Sequence, residues 1–183
     1  MKPQARPTLK PVIPGIKLSS GAEMPIIGLG TFMAKPEEVE NTLDVALEAG
    51  YRHIDTAYLY ENEAAIGKTL QKWMNSGKIK REELFIVTKL PMIGNRAKDV
   101  MHFMEKSLEA LELEYVDLYL VHCAFGMEKR SDKELFPQNQ DGTFALDMKT
   151  DIISVWKVAW AFLHFLFHMA LVVYVLLISK EVQ

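Results

Sequence analysis

The sequence predicts an α/β fold in which helices cover a parallel β-sheet, and three observations support this prediction. Short apolar segments alternate with longer segments of helical periodicity between residues 26 and 121. The short segments are almost continuously hydrophobic, which is typical of strands that are buried on both faces of a parallel sheet. The chain of 183 residues is also long enough to form one domain with a hydrophobic core.

Residues 1–15 contain four prolines and are predicted to form an extended leader without a helix. They contain basic residues but no apolar core of the kind that a secretory signal needs. Residues 16–25 are predicted to form a short hairpin with Ser-Gly at its turn. The single cysteine, Cys123, excludes an intramolecular disulfide and fits a reducing compartment.

Four predicted strands then alternate with three predicted helices. The strands are residues 26–30, 53–55, 84–90 and 116–121. The helices are residues 35–49, 62–74 and 97–111. The polar segment 123–151 is too long for a simple connection, so we interpret it as a functional loop. The net charge is −3 with both signs interspersed, which argues against a nucleic-acid partner.

Reactive side chains lie at or just after the ends of these strands. Asp55 ends the second strand, Lys89 lies near the end of the third and His122 directly follows the fourth, while Tyr60 comes five residues after Asp55. Taken singly, each has an ordinary explanation: a structural ion pair between Asp55 and Lys89, a surface tyrosine, or a core histidine. The spacing alone shows only that each lies near the carboxyl end of a strand.

The sequence around these four residues resembles the aldo-keto reductase family. The similarity is carried by GYRHIDTAYLYENEAAIG at 50–67, LFIVTK at 84–89 and VDLYLVH at 116–122. The resemblance extends over about residues 16–157 and implies a partial (β/α)₈ TIM barrel made of its first four βα units. In a complete barrel of this kind the carboxyl ends of all strands share one face, where active sites lie.

The resemblance implies reduction of an aldehyde or ketone to an alcohol with NADPH. The cofactor supplies a hydride, and the protein must supply a proton. A phenol is a weak acid with a reference pKa of about 10, and a neighbouring ammonium group held by a carboxylate favours its ionised form. By resemblance Tyr60, rather than Tyr58, is the proton donor, Lys89 and Asp55 complete this chain of groups, and His122 orients the carbonyl oxygen of the substrate.

The same resemblance implies the residues around the cofactor and the small carbonyl substrate. Gly30, Thr31, Phe32 and Asp55 are expected to bind the cofactor, because the Gly-Thr-aromatic segment lies beside the nicotinamide in the family. Phe32, His122 and Cys123 are expected to line the substrate pocket. Phe32 stands where many relatives have tryptophan. Cys123 follows His122 in VHCAFG, where relatives have His-Trp-Pro. Both differences put the substrate specificity in question.

The resemblance ends near residue 157. In the family, later strands contact the nicotinamide amide and the 2′-phosphate, and the matched region contains no counterpart of these strands. We therefore expect an incomplete cofactor site, weak or absent NADPH binding, and open edges at the first and fourth strands that permit self-association. The alternative function is that of a catalytically inactive, membrane-associated truncated isoform that acts as a binding or regulatory fragment.

Residues 158–178 contain no Asp, Glu, Lys, Arg, Gly or Pro. A helix of this length would span about 31 Å, so we predict a transmembrane tail anchor that leaves the reductase-like domain in the cytosol, followed by a short tail at 179–183. The alternative is that alternative splicing or an erroneous gene model produced this tail, and that the protein is cytoplasmic. His164 and His168 are one helical turn apart but have no accompanying ligands, so we predict no metal site.

Overall fold

The computed structural model describes residues 14–18, 21–167 and 170–171. The described part begins with an antiparallel hairpin formed by β1 (Gly15–Lys17) and β2 (Glu23–Pro25), as the sequence predicts. Gly21 lies in its turn with a φ of 89°, a conformation that glycine adopts without steric cost. Of the leader predicted for residues 1–15, residues 1–13 lie outside the described residues, and Gly15 already belongs to β1.

A five-stranded parallel sheet follows, which confirms the predicted parallel arrangement. Its strands are β3 (Leu29–Gly30), β4 (His53–Asp55), β5 (Phe85–Leu90), β6 (Leu118–Val121) and β7 (Ala170–Leu171). They lie side by side in the order β3-β4-β5-β6-β7, and every neighbouring pair is parallel.

In the described part of the chain four α-helices connect or follow these strands. They are α1 (Pro36–Ala49), α2 (Glu63–Asn75), α3 (Val100–Leu111) and α4 (Ile152–Phe167). The start of α1 has a proline in its first turn, and the Glu38 carboxylate accepts a hydrogen bond from the Lys35 backbone N–H at 3.1 Å. Gly50, with a φ of 100°, ends this helix in the left-handed conformation.

The alternation of side chains along β5 separates the core from the concave face of the sheet. Ile86 and Leu90 are fully buried in the main core, which fills the space between the sheet and the helices. Phe85 and Val87 belong to a second cluster on the opposite face, together with strand residues Leu118 and Leu120 and hairpin residues Leu18 and Met24. Lys89 has the parity of Phe85 and Val87, so the strand directs it to the concave face.

A buried carboxyl group links three elements on the helical side of the sheet. Glu63, at the start of α2, accepts hydrogen bonds from Thr88 Oγ1 at 2.6 Å and Ser107 Oγ at 3.0 Å. Burial raises the pKa of Glu63 above its usual value, while the two hydroxyl groups and the charge of Lys89 oppose this shift. The group therefore joins α2 to β5 and α3 through buried polar contacts.

The helices α2 and α3 approach each other most closely at Gly67. A Cβ atom placed on Gly67 would lie 2.6 Å from the backbone carbonyl groups of Ala110 and Leu111. These contacts are with the backbone of α3, which cannot rotate away as a flexible side chain does. The absence of a side chain at residue 67 thus sets the separation of the two helices.

The long loop after β6 is held by polar contacts to the residues that follow β5. Asn95 Nδ2 donates hydrogen bonds to the carbonyl oxygens of Cys123 at 2.8 Å and Phe125 at 2.7 Å. Arg96 pairs with Asp147 further along the same loop. An isolated antiparallel bridge between residues 127 and 146 brings the two ends of this segment together.

The continuous helix predicted for residues 158–178 differs from the structure. Helix α4 begins earlier, at Ile152, and ends at Phe167, while Ala170 and Leu171 form β7. The physical reason is that the edge of β6 offers unpaired backbone groups, which pair with β7 opposite Leu118 and Tyr119. The prediction that the fourth strand has an open edge is therefore wrong at Leu118 and Tyr119. Within the described residues no helix is long and apolar enough to cross a membrane. Residues 168–169 and 172–178 of the predicted span, and the predicted tail at 179–183, lie outside the described residues.

Candidate active site

Lys89 is the centre of a cluster of polar groups at the carboxyl end of the sheet. Its ammonium Nζ lies 2.6 Å from Asp55 Oδ1, 2.8 Å from the carbonyl oxygen of Thr56 and 3.1 Å from Tyr60 Oη. The Lys89 side chain is 11% exposed and that of Asp55 is 39% exposed, so the ion pair opens to solvent at the carboxylate. Three acceptors thus hold one buried ammonium group in a defined position.

Tyr60 is brought to Lys89 by a single 3-10 turn, Tyr58–Tyr60, that follows β4. The aromatic ring of Tyr60 lies between two others, with centroid distances of 5.0 Å to Phe32 and 5.6 Å to His122. Tyr58 points elsewhere, because its hydroxyl donates to the carbonyl oxygen of Asp132 at 3.3 Å. The structure therefore places Tyr60, and not Tyr58, against the ammonium group.

His122 follows β6 and presents its ring to Tyr60 at an interplanar angle of 80°. Burial, reinforced by the positive charge of Lys89 and opposed by Asp55, lowers the pKa of His122 to about 4. Its Nδ1 atom is buried and has no hydrogen-bond partner among the described residues. At neutral pH the imidazole is therefore uncharged and carries one N–H donor.

We expect the His122 imidazole to titrate near pH 4 in the folded protein, well below the usual 6.5. Because its pKa is lower in the folded than in the unfolded chain, protonation favours unfolding, and stability should fall as the pH decreases from about 6.5 towards 4. An NMR titration of the histidine ring signals, assigned with His122→Asn, measures the first effect. Urea denaturation at several pH values measures the second, and His122→Asn should reduce the loss. A midpoint near 6.5 would contradict both expectations.

The segment after β3 closes one side of the cluster. Thr31 donates to the carbonyl oxygen of Asp55 through its backbone N–H at 3.0 Å and through its hydroxyl at 3.2 Å. A Cβ atom on Gly30 would meet nothing within 4 Å, so the backbone there borders open space. Phe32 is largely exposed beside Tyr60. Gly30 and Phe32 thus border the cluster, while the Thr31 hydroxyl is engaged with the backbone.

Sequence reasoning missed two residues that support this arrangement. Thr56 supplies a carbonyl oxygen to Lys89, and Asn62 joins Thr56 to the segment after β3 through its buried side-chain amide. Their position inside the quoted 50–67 motif was the available signal. Cys123 lies apart from the cluster: it packs against the main core, and burial raises the pKa of its thiol.

A cleft of about 570 Å³ extends from the cluster along the concave face. Its polar end consists of Asp55, Tyr60, Lys89 and His122. Its apolar walls include Leu18, Met24, Val87, Leu118 and Leu120. Within the described part of the chain no three His, Cys, Asp or Glu side chains form a cluster that could hold a metal ion. The side chains of His164 and His168 are not among those described. The cleft thus combines an apolar enclosure with an ammonium group, a phenol and a neutral imidazole.

Comparison with known proteins identifies similar sequences and folds. Residues 26–159 match the model of the aldo/keto reductase family. Aldo-keto reductase family 1 member A1 of Mus musculus is 43% identical over 143 residues, which are 78% of this chain and 43% of that protein. The same protein of Sus scrofa is 42% identical over the same length. The aldose reductase structure from Schistosoma japonicum matches with a TM-score of 0.77 and 39% identity, covering 82% of this chain and 49% of that one.

The chain thus spans less than half the length of the relatives that it matches. The matched region nevertheless includes the strands and the turn that carry Asp55, Tyr60, Lys89 and His122. Because the family model covers well over half of the sequence, the chain belongs to the aldo/keto reductase family.

Proposed function

We propose that this chain takes part in the reduction of a small aldehyde or ketone to an alcohol, with NADPH as the cofactor. The observation that supports this function best is the position of Lys89 Nζ, which contacts Asp55, Thr56 and the phenolic oxygen of Tyr60 within 3.1 Å. A structural ion pair would account for Asp55 and Lys89, but it would not require a phenol at the mouth of a cleft.

In this proposal Tyr60 donates its phenolic proton to the carbonyl oxygen of the substrate. The ammonium group of Lys89 stabilises the phenolate that remains, and Asp55 holds that ammonium group in place. His122, as a neutral imidazole, directs its N–H group at the same carbonyl oxygen and so orients it. The role of these residues is therefore to position the carbonyl group and to supply one proton.

NADPH, when bound, would supply the hydride that the carbonyl carbon receives. The residues present fit one side of a nicotinamide ring, since Gly30 borders open space and Phe32 offers an exposed aromatic face beside Tyr60. We propose Gly30, Thr31, Phe32 and Asp55 as cofactor contacts, with Thr31 acting through its support of the Asp55 backbone. The apolar walls of the cleft favour a substrate whose remainder is hydrophobic.

The charged residues that line the cleft bear on its affinity for NADPH. In this proposal the described residues contact only the nicotinamide end of the cofactor. No arginine or lysine other than Lys89 lines the cleft in the described part of the chain. We therefore propose that the 183-residue chain binds NADPH weakly, without saturation at micromolar concentrations.

The test has two parts performed on the purified chain. NADPH is titrated by fluorescence up to millimolar concentration, and oxidation of NADPH is followed in the presence of an aromatic aldehyde. We expect weak binding and a measurable aldehyde-dependent rate at high cofactor concentration. Saturation at micromolar NADPH would overturn the proposal of weak binding. Binding without any turnover would overturn the proposal of reductase activity and favour the alternative of a binding or regulatory fragment.

A further inference from the structure

Asn62 is a buried polar residue for which the proposed chemistry has no use. It lies directly before α2, and only 1% of its surface is exposed. Its Nδ2 atom donates to the carbonyl oxygens of Thr31 at 2.8 Å and Ala34 at 3.0 Å, while Oδ1 accepts from Thr56 Oγ1 at 3.2 Å. Both amide hydrogens and the amide oxygen are therefore used, each on a different residue.

The two carbonyl groups that Asn62 binds enclose the exposed tip of the loop between β3 and α1. Phe32 within this tip is 65% exposed, so packing by itself does little to fix its ring. Met33 next to it has a φ of 62°, which is unfavourable for a residue with a side chain and persists only where surrounding contacts enforce it. The Asn62 amide supplies such contacts on both sides of the tip.

The third hydrogen bond connects this loop to the ammonium group. Thr56, whose hydroxyl donates to Asn62, accepts a hydrogen bond from Lys89 Nζ through its carbonyl oxygen. The backbone N–H of Thr56 donates to Val87 O at 2.9 Å, which fixes Thr56 to β5. One side-chain amide thus links the loop that carries Phe32 to the residue that holds Lys89.

We propose that Asn62 is a positioning residue that fixes the Phe32 ring against Tyr60 and thereby determines which carbonyl substrates can approach the phenol. The effect on substrates rests on the proposed reductase function, whereas the hydrogen bonds of Asn62 do not depend on it. Released from Asn62, the loop tip would leave the Phe32 ring free to move away from the phenol. Small displacements of this kind have large effects on the reaction of a bound substrate.

The experiment uses the full chain with 4-fluorophenylalanine incorporated at position 32, compared with the Asn62→Ser variant. In the unsubstituted protein the ¹⁹F signal should be displaced by the Tyr60 ring, whose centroid lies 5.0 Å away. Asn62→Ser should move it towards the value in urea. Thr69→Val is the matched control, because it removes another buried hydrogen bond of α2, from Thr69 Oγ1 to Ala65 O, and it should leave the signal unchanged.

The kinetic readout separates positioning from a general loss of stability. Asn62→Ser should raise the KM for an aromatic aldehyde relative to that for a small aliphatic aldehyde by at least about tenfold, and Thr69→Val should leave this ratio unchanged. An unchanged ¹⁹F signal in folded Asn62→Ser would overturn the proposal. So would an equal KM change for both aldehydes.

Two further outcomes separate a failure of this proposal from a failure of folding or of the reductase function. If Asn62→Ser does not fold, Thr56→Val takes its place, because it removes only the hydroxyl that orients the amide. It should shift the ¹⁹F signal less but in the same direction, and no shift would overturn the proposal. If the unsubstituted chain shows no turnover, the reductase function fails, while the ¹⁹F comparison still decides whether Asn62 fixes the Phe32 ring.

Discussion

Replacing Tyr60 by phenylalanine is expected to lower carbonyl reduction by at least about a hundredfold, since general acid catalysis contributes factors of this size or larger. The substitution removes only the phenolic oxygen, which lies 3.1 Å from Lys89 Nζ. The ring remains and keeps its packing between Phe32 and His122. The measurement is the rate of aldehyde-dependent NADPH oxidation at a fixed, high cofactor concentration.

Tyr58→Phe provides the matched control for this experiment. Its hydroxyl lies two residues away in the same turn but donates to Asp132 O, and its ring packs edge-on against Phe103. We expect Tyr58→Phe to retain most of the rate. A Tyr60→Phe variant that keeps its activity, or a Tyr58→Phe variant that loses it, would show that the proton donor has been assigned to the wrong residue.

The second large effect is expected on stability, at Gly67. Alanine and leucine both have a higher helix propensity than glycine, by nearly 1 kcal/mol, so propensity alone predicts that either substitution stabilises α2. The structure predicts the opposite sign, because a Cβ atom at this position lies 2.6 Å from backbone atoms of Ala110 and Leu111. Overpacking typically costs about 1–3 kcal/mol, so Gly67→Ala should destabilise the protein and Gly67→Leu should destabilise it further.

Urea denaturation followed by circular dichroism gives the sign and the size of this effect. Lys68→Ala is the control, because the next residue of the helix is exposed and its ion pair with Glu40 lies at the surface. A surface ion pair contributes at most about 1 kcal/mol, so this variant should change little. If Gly67→Ala is more stable than the parent chain, helices α2 and α3 are not in the close contact described above.

Most elements that bear on the fold follow from hydrophobic periodicity. The predicted helix at 35–49 corresponds to α1, and the predicted strand at 84–90 corresponds to β5, because each buries a regular apolar face. The first predicted strand is too long: residues 26–30 read as one apolar run, but only Leu29 and Gly30 pair in the sheet. Ile26 instead bonds to Pro14 O beside the hairpin and remains half exposed, since backbone pairing overrides hydrophobicity there.

The contacts of the site were only partly predictable. Reactive residues at the ends of parallel strands converge for geometric reasons, so Asp55, Lys89 and His122 could be expected near one another. Asn62 could not be assigned a role in this way, because an asparagine before a helix is equally typical of an ordinary cap. Its partners Thr31 and Ala34 lie in a loop whose conformation depends on contacts far apart in sequence. The strand pairing of Ala170 and Leu171 has the same origin, as it depends on a free edge and not on a local pattern.

The order of the strands in the sheet is the same as their order in the chain, and this has a consequence for folding during synthesis. Each strand from β4 onwards pairs with the strand that precedes it, so it meets an edge formed by residues that the ribosome has already released. The ribosome adds about 5–20 residues per second, which is slow enough for strands to pair one after another. β4, β5 and β6, which bring Asp55, Lys89 and His122 together, and the preceding strands with which they pair therefore all come before α4 in the order of synthesis.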